Sequence, residues 1–260
     1  MLNPLKQILE HPNEKKFFVD AKAYAHKVLM QDKPYPWYDP MLYSNYIKQV
    51  ASLLKADVLV LRFDNLFEEE LNTNKELIEK MSEKTRRGYA LKIFLSDERV
   101  RDVASALINT VTNIMHVHVL TQLPSPLQLL KLTAKAAGQD DGHFEDNEIE
   151  NSSVYYADWL RSYKDSKVKG LLFDERSTSL NIEHYMPVKN TADGYDWVIG
   201  FRRDAELAFD GFEYGIPVIP SDFWVQEANP GLESYKNKIV FSEIHRDAVP
   251  EKVLEKLTLF

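Results

Sequence analysis

The sequence predicts an α/β fold on a parallel sheet, closed as a (β/α)8 barrel of the TIM type. Three observations carry that reading. Short apolar runs alternate with longer amphipathic stretches along the chain. Several runs, such as Val58-Leu59-Val60-Leu61, are apolar without alternation, which requires burial on both faces of the sheet. The glycine-rich first turn of an open nucleotide-binding sheet is missing, since only nine glycines occur, none adjacent or one apart.

Each element has its own signal. Residues 17–30 and 41–54 carry apolar residues three and four apart and predict two helices. The chain is therefore expected to open with a helical N-terminal extension over residues 1–55, packed on the barrel. Between those helices, Lys33-Pro34-Tyr35-Pro36-Trp37-Tyr38-Asp39-Pro40 holds three prolines, which exclude a helix interior. Its aromatic residues either pack the segment down or wall a site. Strand 58–61 follows, then a helix over 74–87 and a strand over 91–95. Asp97 is placed to cap the next helix, which reaches about Val111. A strand at 114–120, a helix at 127–137, a polar loop over 138–146 and a helix at 148–163 come next. Strands at 170–173 and 197–201 lead to a helical stretch at 205–212. Strands at 216–219 and 239–241 precede a last helix from Pro250. An eighth strand is expected near Phe17 or within 178–185. Residues 1–260 read as a single domain.

Composition narrows the function. A 260-residue chain with 44% hydrophobic residues can bury a large core. A net charge of −8 without clustered Lys and Arg argues against nucleic acid as a partner. The densest basic cluster, Lys84-Thr85-Arg86-Arg87, falls at an expected helix end, where cations complement the dipole. With no cysteine, disulfides, thiolate zinc, iron–sulfur clusters and cysteine nucleophiles are excluded. The first residues lack the apolar core of a signal peptide, and no run of roughly 18 apolar residues exists. A cytoplasmic location without membrane contact is expected. No G-x-S-x-G, H-E-x-x-H or P-loop occurs, and neither cofactor nor metal is expected.

In a barrel the active site lies at the C-terminal strand ends. That rule selects Arg62 and Asp64; Asp97; Gln122; Asp174, Glu175 and Arg176; Arg202 and Arg203; Asp222 and Trp224; Glu243 and His245. Asp174 and Glu175 are the foremost catalytic candidates, although neighbours on a strand point to opposite faces. A carboxylate among apolar walls exchanges protons near neutral pH. Glu243 and His245 share a face if their strand continues that far, and would form a carboxylate-oriented base. Arg62 and Arg202 are candidates to hold an anionic substrate. Asp222, Trp224 and Trp37 are candidates to line the pocket. His116 and His118 sit two apart on one strand, and His118 is taken as a pocket residue without metal.

Three segments resemble the barrel group that contains uroporphyrinogen decarboxylase and cobalamin-independent methionine synthase. Residues 115–130, with His116-Val117-His118-Val119-Leu120 before Pro124, are similar to that group's strand, proline loop and helix. The strand ending Leu172-Phe173-Asp174-Glu175 is similar to its strand ending in an acidic pair. Asp57-Val58-Leu59-Val60 follows a long amphipathic helix, as in the group. The resemblance implies a decarboxylase- or methyltransferase-type enzyme acting on a small organic acid or methylated compound. The chain departs from the group in having no cysteine for zinc, no arginine-rich opening segment and a shorter length. Two alternatives stand beside that expectation: a cofactor-independent lyase or hydrolase of an aromatic or heterocyclic compound, and a non-catalytic partner subunit. The expected partner is a small-molecule substrate, and a homodimer is left open.

Overall fold

A computed structural model describes residues 3–227, 235 and 238–260. The chain begins with a short helix, α1 (Pro4–Leu9). Asn3 caps it by accepting from the Leu5 amide, and its side-chain amide donates to the Lys169 and Asp196 carbonyls at 2.9 and 2.5 Å. Those two carbonyls belong to the approaches to two strands, so the cap ties α1 across one end of the sheet.

β1 (Lys16–Asp20) follows, then α2 (Lys22–Met30), α3 (Pro40–Leu54), β2 (Val58–Arg62), α4 (Phe63–Thr73), α5 (Lys75–Ser82), α6 (Tyr89–Ser96) and α7 (Glu98–Ile114). The second half runs β3 (His118–Pro124), α8 (Pro126–Ala136), α9 (Asp146–Leu160), β4 (Gly170–Asp174), α10 (Met186–Gly194), β5 (Val198–Arg202), β6 (Glu206–Phe209), β7 (Ile216–Ile219), β8 (Ile239–Glu243) and α11 (Pro250–Leu257). The eight strands close in chain order, and β1 seals the ring against β8 through five register pairs. Neighbours are parallel except β6, which runs antiparallel to both β5 and β7.

Alternation along each strand divides the core in two. Phe18, Val60, Leu120, Leu172, Val198, Leu207, Phe209 and Phe241 fill the barrel, with Leu5 and Leu9 of α1 plugging its N-terminal end. Val19, Leu59, Leu61, Val119, Leu171, Phe173 and Ile199 face the helices. The interior is tight enough to demand glycine twice. A Cβ on Gly170 would lie 2.6 Å from Leu120 and 2.8 Å from Leu5, and one on Gly200 would lie 2.7 Å from the Phe209 ring. Among the described residues no helix is long and apolar enough to cross a membrane.

Three sequence expectations are corrected. The eighth strand expected near Phe17 is β1, and it corrects the reading of residues 1–55 as a helical extension, since they contain the strand that closes the barrel. Residues 91–95 lie in α6, whose buried Ala90, Leu91, Phe94 and Leu95 follow a helical period that a short apolar run conceals. Residues 206–209 form β6 rather than a helix, with Leu207 and Phe209 inside the barrel. Only residues 203–205 join β5 to β6. A parallel crossover needs about a dozen residues or more, so the short link forces a hairpin and inverts the strand.

Candidate functional site

The inward alternation that fills the barrel with apolar side chains ends, at the C-terminal mouth, in polar ones. Asp20 ends β1, Arg62 ends β2, Gln122 lies near the end of β3, Asp174 ends β4, Arg202 ends β5 and Glu243 ends β8. Asp64, in the first turn of α4, and Arg176, two residues beyond β4, join them.

The groups form one network. Asp20 is 1% exposed and accepts from Arg62 Nη1 at 3.0 Å and Arg202 Nη1 at 2.8 Å. Arg202 also donates to Gln122 Oε1 at 2.7 Å and to the Glu243 carboxylate. Gln122 turns its amide to Asp64 and Asp174, at 3.0 and 3.3 Å. Arg62 grips Asp64 through Nε and Nη2, and Arg176 grips Asp174 through Nε at 3.0 Å and Nη2 at 2.6 Å. The free edge of Arg176 lies 3.5 Å from Glu243. Below the network, the Arg202 guanidinium stacks 4.9 Å over the Phe241 ring, the top of the apolar filling.

Burial raises the proton affinity of Asp20, but Arg62 and Arg202 outweigh it and hold the carboxyl well below the usual carboxylate range. Asp174 is shifted the same way: burial opposes the shift, and Arg176 and Arg202 prevail. Four carboxylates therefore meet three guanidiniums in a charged, hydrogen-bonded cluster. Solvent reaches it unevenly. The Arg202 side chain is 3% exposed, whereas those of Arg176 and Glu243 are 33% and 32% exposed. The reachable edge of the mouth is the Glu243–Arg176 pair.

The structure brings together Arg62, Asp174, Arg202 and Glu243 from the sequence-predicted set, with Asp64, Gln122 and Arg176 from the strand-end candidates. It places the others elsewhere. Glu175 points outward, as its neighbour faces in, and accepts from Tyr185 Oη at 3.0 Å and the Leu180 amide at 3.2 Å, pinning the loop after β4. Arg203 also lies outside, near Glu175 and Glu206. His245 does not share a face with Glu243, because β8 ends at Glu243; its ring accepts from the Asp247 amide within its own loop. His118 starts β3 and so lies at the opposite end of the barrel, where it lines a cleft of about 520 Å³ with His11, Lys16, Asp57 and His116. Burial lowers the His118 pKa there. Trp224 is fully buried and donates to Ser242 Oγ at 2.8 Å. Trp37 packs into the core against Tyr35, Tyr43 and Phe63. Asp222 is exposed and accepts from Gln226 within its own turn. Asp97 caps α7.

Asp20 was missed, although Phe17-Phe18-Val19-Asp20 shows the same apolar run with a charged end as Val58-Leu59-Val60-Leu61-Arg62. Among the described residues, no three His, Asp or Glu side chains are grouped so as to hold a metal ion. A cleft of about 930 Å³ lies away from the mouth, in the helix layer between α6, α9 and α10, where Arg101 and Arg161 both pair with Asp158. No family model matches the sequence, and neither a curated protein nor a solved structure is significantly similar to it.

Proposed function

We propose that this protein is an acid–base enzyme of a small organic acid, working at the carboxylate–arginine mouth of a (β/α)8-type barrel whose sixth strand is inverted. The observation that carries the reading is the position of Glu243. It is the most solvent-exposed carboxylate of the cluster, and it sits on two guanidiniums, Arg202 and Arg176. The other arginine contacts in the mouth go to the buried Asp20, Asp64 and Asp174 carboxylates and the Gln122 amide oxygen. An entering carboxylate therefore finds its binding place by displacing Glu243, bidentate recognition by Arg being the favoured geometry. Displacement frees the Glu243 carboxylate from its two positive partners and leaves it beside the bound acid. Binding would thus turn Glu243 into a proton carrier next to the substrate it admits. Asp20, Asp64 and Asp174 keep the arginines aimed at the mouth. This reading fits the organic-acid substrate implied by the decarboxylase-type resemblance and leaves its methyl-transfer branch without an assigned residue.

Glu243→Gln tests it directly. A neutral amide competes less well for Arg202 and Arg176 than a carboxylate does. A charge-assisted hydrogen bond is worth about 1.5–3 kcal/mol, so the variant is expected to bind a small mono- or dicarboxylate roughly tenfold more tightly. Thermal shift across a panel of organic acids, followed by calorimetry, reads the effect. If no acid raises the melting temperature of either protein, the proposal fails.

A further inference from the structure

Beside the mouth lies a lysine that the acid–base reading does not use. Lys22 opens α2, two residues after Asp20, and its backbone amide donates to Asp20 Oδ1 at 3.1 Å. Its side chain lies over the Tyr35 ring, 5.0 Å from the centroid. Among the described residues, no carboxylate stands within ion-pair distance of its Nζ and no acceptor within hydrogen-bond distance. Lys22 lines a void of about 20 Å³ together with Tyr35, Tyr43, Tyr46 and Arg62. That volume suffices for one water. The Tyr43 and Tyr46 hydroxyls are buried without a hydrogen-bond partner. Burial is costly for an unpaired hydroxyl, so a core selected for stability alone would not gather two of them around an empty space beside a half-buried lysine.

We propose that Lys22 is a nucleophilic amine that forms an imine with the carbonyl group of the substrate, which makes that substrate a small oxo acid. The inference rests on the organic-acid reading: the carboxylate lies at Arg202 and Arg176, and the carbonyl reaches across to Lys22. The Lys22 Nζ lone pair attacks the carbonyl carbon, a C–N bond forms, and the carbonyl π pair moves to oxygen, which takes up a proton. The amine nitrogen gives up both its protons, one to that oxygen as the carbinolamine forms and one as the oxygen leaves as water and the C=N bond forms. Amine and ketone become imine and one water, with no oxidant or reductant. The phenol-lined void has room for the departing water and places hydroxyls there to pass protons. The environment also favours the free amine: burial lowers the Lys22 pKa and the Arg62 charge lowers it further, against the pull of Asp64 and Asp20.

The test is reductive trapping of the full chain with pyruvate and cyanoborohydride, read by peptide mass mapping. Lys22 is expected to gain the carboxyethyl adduct several-fold faster than exposed Lys48 and Lys75. With acetone in place of pyruvate, the ratio of Lys22 to Lys48 labelling is expected to fall, because the carboxylate contact is lost. Lys22→Arg, which keeps the positive charge, should leave that peptide unlabelled. If Lys22 is labelled no faster than the exposed lysines, the proposal is overturned. An unchanged ratio with acetone overturns the oxo-acid assignment. Organic acids that raise the melting temperature while Lys22 stays unlabelled would sink the imine and leave the acid-binding reading standing.

Discussion

At the scale of single residues, Asp20 joins two of the mouth's three guanidiniums, Arg62 and Arg202. It is buried between two guanidiniums, and breaking one side of a buried ion pair costs about 3–5 kcal/mol because the partner charges remain unpaired. Asp20→Asn is therefore expected to lower unfolding stability by several kcal/mol near pH 7. The folded-state pKa lies below the unfolded value of about 3.9, so the contribution is present above that value and is lost as pH falls through the folded one. Urea midpoints of the two proteins should stay separated by a constant amount from about pH 5 to 8 and converge only below about pH 4. Convergence already near pH 6 would mean that Asp20 does not sit in this network. The same scale shows where residue-level reading succeeds. Asp174 and Glu175 part to opposite faces because successive strand residues must. The direction each takes, inward for Asp174, depends on which face closes into the barrel.

Among the elements, α1 and β6 are where the chain departs from a plain alternation of strand and helix. α1 is six residues long, too short to be stable alone, and it holds because Leu5 and Leu9 enter the barrel floor. β6 holds because Leu207 and Phe209 complete the interior filling beside Gly200. Gly200→Ala would drive a methyl group into the Phe209 ring and is expected to cost about 1–3 kcal/mol, seen as a lower urea midpoint. Replacing Phe209 by Leu in the same chain should recover part of that loss, since the contact is with the ring. An additive double variant would show that the strain lies elsewhere. Most helices were legible from their period, as were six of the strands. α6 was not, because its Leu91-Lys92-Ile93-Phe94-Leu95 core is apolar at positions that suit either period.

For the whole molecule, the decisive feature is closure. β1 and β8 come from opposite ends of the chain and pair along their full lengths. Removing residues 239–260 would uncover an edge on β1 and another on β7 while opening the apolar filling to water. The truncated chain is expected to lose its cooperative thermal transition. In the full chain, far-ultraviolet dichroism and tryptophan fluorescence are expected to change together on unfolding, since Trp37, Trp159, Trp197 and Trp224 are all buried in the single layer between barrel and helices. Separated transitions would indicate that one sector of the barrel opens independently. Closure also concentrates charge. A chain with a net charge of −8 gathers three of its arginines at one end of the barrel, each matched to buried carboxylates.

By itself the sequence determined the layers and the polarity of the strand ends. Apolar runs without alternation must be covered on both faces, and a charged residue ending such a run can reach water only at the mouth. Arg62, Asp174, Arg202 and Glu243 were readable on that ground. Tertiary structure alone decided the rest. Hydrogen-bond closure decided that the eighth strand is Lys16–Asp20 and not part of residues 178–185. A three-residue link inverted β6. Chain direction sent His118 to the far end of the barrel, and the end of β8 at Glu243 turned His245 aside. The convergence of Asp20 on Arg62 and Arg202 depends on contacts between residues far apart in the chain, and local periodicity carries no information about such distances.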